Sequence, residues 1–541
     1  MFHPHWREQA LAALDDTFDL IVIGGGVNGA GILMDASQRG LRVLLVERHD
    51  IGAGTSSRSS QLIHGGLRYL KRMQFRITRL ACRERDRLLE LSPHLVWPIR
   101  FLYPVMGEGL PGWQVDLGLW MYDRLTRRAE KHAHPDVEAI GMMAPGLPVE
   151  RVSGAMVYSD AVTDDARLTL AIAATGFAYG GLVLTRAEVV GAIRGADGRI
   201  TGVVVTDRET GRTHRVRGHV VVNATGVWVD VVRSAVGISD QRVRPSRGSH
   251  VLLRTARLPL TAAVTVPSPD DGRPVFFVPH PEGILVGTTD LFHEGPLDDP
   301  RPTPDEVQYL LRALQAHFPT AALTEQDVVG AYAGLRPILD IHADTPSAAS
   351  RDEDVWEEAG MVSVSGGKLT TWRVTAEEAV DAALEQLPEE RARIAGACLT
   401  KGTPLAGLAP PDLAARLARE YPLSPAVADA LARRLGAVAW FAPRLARGEP
   451  ELAPLVDGSD LSAAEVRAHI AFGAASGPDD LLLRRARLGV WDPPLALAVL
   501  PRLRPLFEQE RGWPPGRWES EAARAVTALA GWSPPPPRRP D

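Results

Sequence analysis

The stretch from Phe18 to Asp50, FDLIVIGGGVNGAGILMDASQRGLRVLLVERHD, leaves this chain few ways to fold. An apolar run, a glycine cluster, a helix-like segment and a second apolar run closing on an acid spell strand, turn, helix, strand. Gly24, Gly26 and Gly29 occupy G-x-G-x-x-G spacing at the strand-to-helix turn, and Glu47 ends the second strand. The first glycine permits the tight turn, the second lets backbone approach a pyrophosphate, and the third lets helix and strand pack closely. The helix N-terminus then stabilises negative charge, and Glu47 is placed to accept bonds from ribose hydroxyls. A dinucleotide site on a Rossmann-like α/β domain is the expectation; a glycine-rich turn without a ligand is the competing reading.

At 541 residues the chain has room for two or three domains. Hydrophobic residues at 45% and charged residues at 23% are those of a globular protein, and a formal charge of -6 argues against a general nucleic-acid partner. Cys82 and Cys398 lie far apart without C-x-x-C or Cys/His ligand spacing, so neither a disulfide framework nor a metal site is expected, and a reducing cytosolic compartment is the default. No run approaches the ~18 apolar residues that span a bilayer. The first residues, MFHPHWREQALAALDDTF, lack the basic, apolar and cleavage regions of a signal peptide. Peripheral membrane contact stays open, since it needs only a modest apolar and basic patch.

Further apolar, β-branched runs occur at Val220–Trp228, Pro274–Asp290 and Gly360–Lys368. The middle one, PVFFVPH and GILVGTTD joined through PEG, reads as an antiparallel hairpin, and the strands between Val243 and Asp290 suggest an antiparallel sheet inserted into the nucleotide-binding fold. After about Leu399, DLAARLAREY, AVADALARRL and AEVRAHIAFG carry apolar residues at helical spacing, as in a separate helical domain. The expected division is a discontinuous nucleotide-binding domain at 17–92, 150–240 and 328–392, a substrate or cap domain at 93–149 and 241–327, a helical domain at 399–532, and a disordered proline-rich tail at 533–541.

The glycine motif alone does not separate NAD from FAD; the segment after the second strand does. GTSSRSS places Thr55, Ser56, Ser57 and Ser60 where amides and hydroxyls continue along a phosphate and ribityl chain, although such composition also makes solvated loops. In SSQLIHGGLRYL, Gly65 and Gly66 lack the Cβ that would keep backbone from lying flat on an isoalloxazine ring. Arg68 offers a rigid fork of donors to a phosphate or carboxylate. His64 is either a catalytic base or a packed ring. SGGKLTTWR brings Lys368, Thr370 and Thr371 to the start of a helix, which would stabilise charge near N1 of a reduced flavin or serve as an ordinary cap. Arg336, between a glycine and a proline in AYAGLRPILD, is a fixed cation or part of a surface turn.

In order and spacing, DLIVIGGGVNGAG, TSSRSSQLIHGGLRYL, YSDAVTDDARL, VVNATGVWVD, GTTD, AGLRPILD and SVSGGKLTTWR resemble the FAD-dependent, respiratory glycerol-3-phosphate dehydrogenases. The likeness is close from Phe18 to Leu384 and looser through LLLRRARLGVW in the helical region. It implies a glutathione-reductase-like FAD-binding domain and oxidation of sn-glycerol 3-phosphate to dihydroxyacetone phosphate. Electrons would pass to a membrane quinone from a protein held peripherally at the inner face of the cytoplasmic membrane; a homodimer is left open.

By motif match, Arg68, Tyr69, His250, Arg336, Arg351 and Lys368 would surround the substrate, and Arg336, His64, His250 and Lys368 would carry the chemistry. The base is open among His64, His250 and Arg336, arginine being a poor base because its pKa lies above about 12. Asn28, Leu67, Val189, Ala224, Gly226, Gly334, Gly367 and Leu369 complete the expected cofactor contacts. Gln61 stands where the family generally carries lysine. No EF-hand loop is present, and neither is the long insertion of the oxygen-using oxidases, which favours quinone over oxygen. An oxygen-using oxidase and a flavin-binding sensor without turnover are the rival readings; the retained Arg68, Arg336 and Lys368 speak against the sensor. Leu110–Arg128, rich in tryptophan and leucine with a basic end, is either a helix lying on a membrane surface or a buried one.

Overall fold

The computed structural model describes residues 1–67, 73–107, 111–126, 131–339 and 354–536. The strand Thr17–Ile23 lies at the centre of a sheet, parallel to Val43–Val46 on one side and to Thr213–Asn223 on the other. Leu182–Leu184 and Met361–Ser365 continue the parallel order outward, and the antiparallel strand Asp354–Glu358 closes one edge. These strands read as unbroken apolar runs because both faces are covered, and every residue of Phe18–Ile23 and Val43–Val46 is buried. One face packs on helices Val27–Gln38, Asp165–Ala178 and Trp372–Leu384; the other lies under the hairpin Ala187–Arg194/Ile200–Asp207 and the helix Trp6–Ala12. This is the Rossmann-like α/β architecture that the opening motif predicts.

A second, mainly antiparallel sheet contains the expected hairpin, Pro274–His280 with Gly283–Gly287, closed at the pair His280↔Gly283. Arg244–Leu253 pairs with Gly283–Gly287 on one side and along its length with Val328–Ile338 on the other. The helix Pro304–His317, started by a capping box between Thr303 and Glu306, covers the sheet near Phe277 and Phe318. Leu62–Ile63, Gly154–Thr163 and Val328–Ile338 also belong here, although the sequence division places them in the nucleotide-binding segments. A strand's sheet is decided by its distant partner, which local pattern does not show. The consequence is functional, because these three strands carry the chain from the nucleotide unit into the second sheet and deliver site residues to the seam.

The C-terminal region is helical as expected, with Leu413–Glu420, Pro425–Leu435, Ala463–Phe472, Pro493–Arg511 and Arg517–Ala530 as its main helices. It does not stand apart. Arg485 Nη2 donates to Asp50 Oδ1 at 2.8 Å, Arg487 donates to Asp165 Oδ1 and the Ser57 carbonyl, and Ala331 N donates to the Trp532 carbonyl at 2.9 Å. Of the expected tail, 537–541 lie outside the described residues.

Candidate active site

The glycine turn is a backbone-on-backbone fit. Gly24 has φ +103° and donates its N–H to the Val46 carbonyl at 2.8 Å, and a Cβ on it would come within 2.9 Å of the Ala224 carbonyl oxygen. A Cβ on Gly29 would collide with the Gly24 carbonyl oxygen. Gly26 caps the helix Val27–Gln38 in an extended conformation, and the first-turn amides have no acceptor within the helix itself. Glu47 accepts from Gly25 N at 2.6 Å and from His49 N at 2.7 Å. Burial raises its carboxyl above the ordinary value, against the two backbone bonds that lower it. This cradle of bare backbone at a helix start, with an acid at the tip of the next strand, fits a dinucleotide pyrophosphate and ribose.

The serine loop is built in rather than solvated. Ser56 Oγ accepts from Val27 N at 2.9 Å, Thr55 Oγ1 donates to the Leu335 carbonyl at 2.6 Å, and Ser57 is buried with its hydroxyl toward Gly54. Ser59 bonds Asp165 through both N and Oγ, and Ser60 Oγ lies 2.8 Å from His250 Nε2. The hydroxyls of Thr55, Ser56, Ser59 and Ser60 each tie the loop to a different element, so residues 55–60 stitch the nucleotide unit to the second sheet. Other expected contacts lie along the same line. Ala224 N bonds the Ile23 carbonyl, Gly226 has φ +59°, and Val189 packs on the apolar layer under the first sheet. Gly334 leaves room for the Arg58 carbonyl, which a Cβ there would strike.

The segment after Ile63 is gripped on two sides. His64 N donates to Thr370 Oγ1 at 3.2 Å, and Asn28 Nδ2 reaches the Gly366 carbonyl at 3.4 Å, so the glycine turn at Gly366 and Gly367, both at positive φ, is brought to the nucleotide unit together with Lys368 and Leu369. Gly65 N donates to the Tyr122 hydroxyl at 2.8 Å, and a Cβ on Gly65 would strike Cys82 Sγ and lie 2.5 Å from that hydroxyl. The need for glycine at 65 is therefore set on the buried side of the loop. Gly66 has φ +77°, and Leu67 packs on the second core.

Beneath the loop lies a polar network that local sequence pattern does not announce. Tyr122 donates to Asp160 Oδ1 at 2.7 Å, Arg85 Nη1 donates to the same oxygen at 2.6 Å, and Arg85 Nη2 bonds Asp86 and Thr126. Burial, with the Asp160 carboxylate second, pushes the Tyr122 hydroxyl well above its usual range, which keeps it a donor. Asp160 lies inside the YSDAVTDDARL motif, the one signal available in sequence.

Arg336 is aimed by its neighbours. Its Nη1 bonds Asp290 Oδ1 at 3.1 Å and its Nη2 bonds Thr288 Oγ1 at 3.0 Å, and Gly248 on the adjacent strand leaves space that a Cβ would deny the guanidinium. His250 stacks on Tyr332 at 4.8 Å between ring centres and is 1% exposed. Burial, helped by Arg336, pushes its pKa to about 3, so it enters the site as a neutral ring and not as a cation. Burial also holds His64 below the usual imidazole value; Asp160 opposes this, while Lys368 and Arg85 add to it. Gln61 is buried, at φ +56°, with its N–H on Ser59 Oγ and its carbonyl accepting from Thr163 N. Arg68, Tyr69 and Arg351 lie outside the described residues.

The profile of the FAD dependent oxidoreductase family matches residues 19–420, and that of the C-terminal domain of alpha-glycerophosphate oxidase matches 398–517. The glycerol-3-phosphate dehydrogenase of Mycobacterium leprae (strain TN) is 36% identical over 92% of this chain and 86% of its own. The aerobic glycerol-3-phosphate dehydrogenase of Staphylococcus aureus (strain USA300) is 34% identical over 73% of this chain and 72% of its own. The glycerol-3-phosphate dehydrogenase from Bacillus halodurans, solved in complex with FAD, superimposes with a TM-score of 0.80 at 28% identity over 98% of both chains. A nucleotide cradle that only glycine fits, an acid at the next strand end and a profile spanning both sheets agree on one cofactor, FAD. With relatives this similar over this much of its length, the chain belongs to the FAD-dependent glycerol-3-phosphate dehydrogenase family.

Proposed function

We propose that the protein oxidises sn-glycerol 3-phosphate to dihydroxyacetone phosphate and that the electrons pass to a membrane quinone. Bound FAD supplies the hydride acceptor. The observation that carries the reading is a buried imidazole near one cation with a second held in place by its neighbours: His64 is tied through its backbone to Thr370, two residues beyond Lys368, whose charge acts on the ring, and Arg336 is aimed by Asp290 and Thr288. A dianionic phosphate requires several such cations, and Arg336 and Lys368 would take that role with Arg68, Tyr69 and Arg351. The cofactor would lie along Gly24–Gly29, Glu47, Thr55–Ser60, Gly65–Leu67, Val189, Ala224–Gly226, Gly334 and Gly367–Thr370.

Among the three candidates for base, elimination favours His64. Arg336 keeps its proton at any working pH. His250 has Nε2 committed to Ser60 and is too acidic, at about 3, to hold the proton of an alcohol. An imidazole nitrogen of His64 would therefore accept the carbinol proton, and the first turn at Leu369–Thr371 would face the charge that develops opposite it. Anaerobic addition of glycerol 3-phosphate to the FAD-loaded protein is expected to bleach the flavin absorbance, and a soluble quinone to restore it. Failure to bleach would sink the reading. Stoichiometric peroxide on re-admission of air would replace quinone with oxygen as the acceptor.

A membrane face is the natural companion of a quinone acceptor. The helix Gly112–Leu125 buries Val115, Leu119 and Tyr122 and turns Trp113, Leu117 and Trp120 outward, with Trp113 67% exposed. Arg124 stacks over Trp120 at 4.0 Å. Beside it, Arg76, Arg79 and Arg83 line a groove of about 520 Å³ that reaches Leu125. Exposed tryptophans next to clustered arginines suit an anionic lipid surface. Wild-type protein is expected to float with vesicles containing anionic lipid and the Trp113→Ala/Trp120→Ala variant to stay below; equal flotation would reject this helix as the contact.

A further inference from the structure

On the opposite flank of that same helix, side chains from two segments converge with no part in the flavin site. Asp116 and Asp123 are seven residues apart, and so share a face of the helix Gly112–Leu125. After the helix the chain returns through Lys131–His132–Ala133–His134. Ala133 is pinned by a two-way backbone bridge to Val157, at 2.9 and 2.8 Å. In an extended segment so held, residues 132 and 134 point to the same side, and here that side is the helix. His132 Nε2 lies 3.0 Å from Asp116 Oδ1, His134 Nε2 lies 2.9 Å from the same oxygen, and the three donor atoms fall within 4.8 Å of one another.

We propose that Asp116, His132 and His134 form a binding site for a divalent transition-metal ion of the zinc class. Two imidazoles and one carboxylate are a donor set suited to Zn²⁺. Ligands about 2.0–2.1 Å from a tetrahedral zinc stand roughly 3.3 Å apart, so each imidazole nitrogen has to draw back from the Asp116 oxygen by only a few tenths of an ångström, within reach of a half-exposed aspartate. His132 also has the outer partner that ligating histidines ordinarily carry. Its Nδ1 is 2.7 Å from Asp123 Oδ2, which also accepts from His132 N at 3.0 Å. With Nδ1 turned to Asp123, Nε2 is the ring nitrogen that faces Asp116 and would reach an ion placed between them. The fourth position opens to solvent, since the His134 side chain is 63% exposed, and water would fill it. An ion there would clasp the helix that presents Trp113 and Trp120 to the chain segment bridged to Val157. In sequence the pair H-x-H is a weak signal, because the aspartates that complete the cluster lie 16 and 9 residues upstream of His132.

The test is Zn²⁺ titration of the full-length flavoprotein, stripped of metal, against a chromophoric chelator. The expected result is about one equivalent of Zn²⁺ held in competition with the chelator, at least tenfold weaker in His132→Ala and His134→Ala, with flavin content and spectrum unchanged. Asp123→Asn, which touches no ion, is expected to lose roughly 10–100-fold in affinity. Absence of competitive binding in the wild type overturns the proposal, as does a stoichiometry and affinity that survive both histidine substitutions. Because the exposed His134 supports no core contact, its variant stays interpretable even if His132→Ala fails to fold.

Discussion

Gly29→Ala is expected to leave the purified protein without flavin. The added methyl would collide with the Gly24 carbonyl oxygen, and that oxygen has nowhere to go. Gly24 is held by its N–H on the Val46 carbonyl, sits at φ +103°, and is backed by the Ala224 carbonyl. The clash is thus backbone against methyl inside a turn wedged between strands, and relief requires opening the turn that would hold the pyrophosphate. Overpacking of this kind costs about 1–3 kcal/mol or more. Loss of a cofactor that saturates its site at a thousand times Kd removes about 4 kcal/mol of further stabilisation. The flavin-to-protein absorbance ratio and the melting temperature with and without added FAD measure both terms. Gly118→Ala is the control, since a Cβ there meets nothing within 4 Å, and full flavin content is expected. A yellow Gly29→Ala protein with unchanged melting would refute the cradle.

What could be read from sequence was what local pattern carries. The G-x-G-x-x-G turn, Glu47, the hairpin at 274–287 and the helical texture after Leu399 are each set by neighbours within a few residues. What escaped depends on distant partners. The helix Gly112–Leu125 has two apolar stripes of equal spacing, Val115/Leu119/Tyr122 and Trp113/Leu117/Trp120, and periodicity cannot say which one meets the protein. Arg85 and Asp86 look solvated in a charged helix, yet they are buried because Asp160 and Tyr122 arrive from elsewhere in the chain. His250 reads as a candidate base until its stacking on Tyr332 and its burial are known. Gln61 reads as a departure from the family pattern, and it is buried under the serine loop, where its backbone joins Ser59 to Thr163.

Replacing His64 is expected to lower the rate of flavin reduction by glycerol 3-phosphate about 10²–10⁴-fold while the flavin stays bound, the range for removal of a general base. The backbone bond from His64 N to Thr370 survives substitution, so the loop keeps its place and the loss reports the ring. The pH profile then identifies the group. The neutral imidazole is the competent form, and activity falls as pH drops through its folded pKa. Burial lowers that pKa from the ordinary 6.5, Asp160 only partly restores it, and Lys368 and Arg85 lower it further. The acid limb of kcat/KM for the wild type should therefore lie below pH 6.5, with a plateau through neutrality. In His64→Gln that limb should vanish along with most of the rate. His250→Gln should leave the limb where it is, because His250 titrates near 3 and cannot generate it. A limb that persists in His64→Gln and disappears in His250→Gln would move the base to His250, and would require its Nε2 to leave Ser60 when substrate binds.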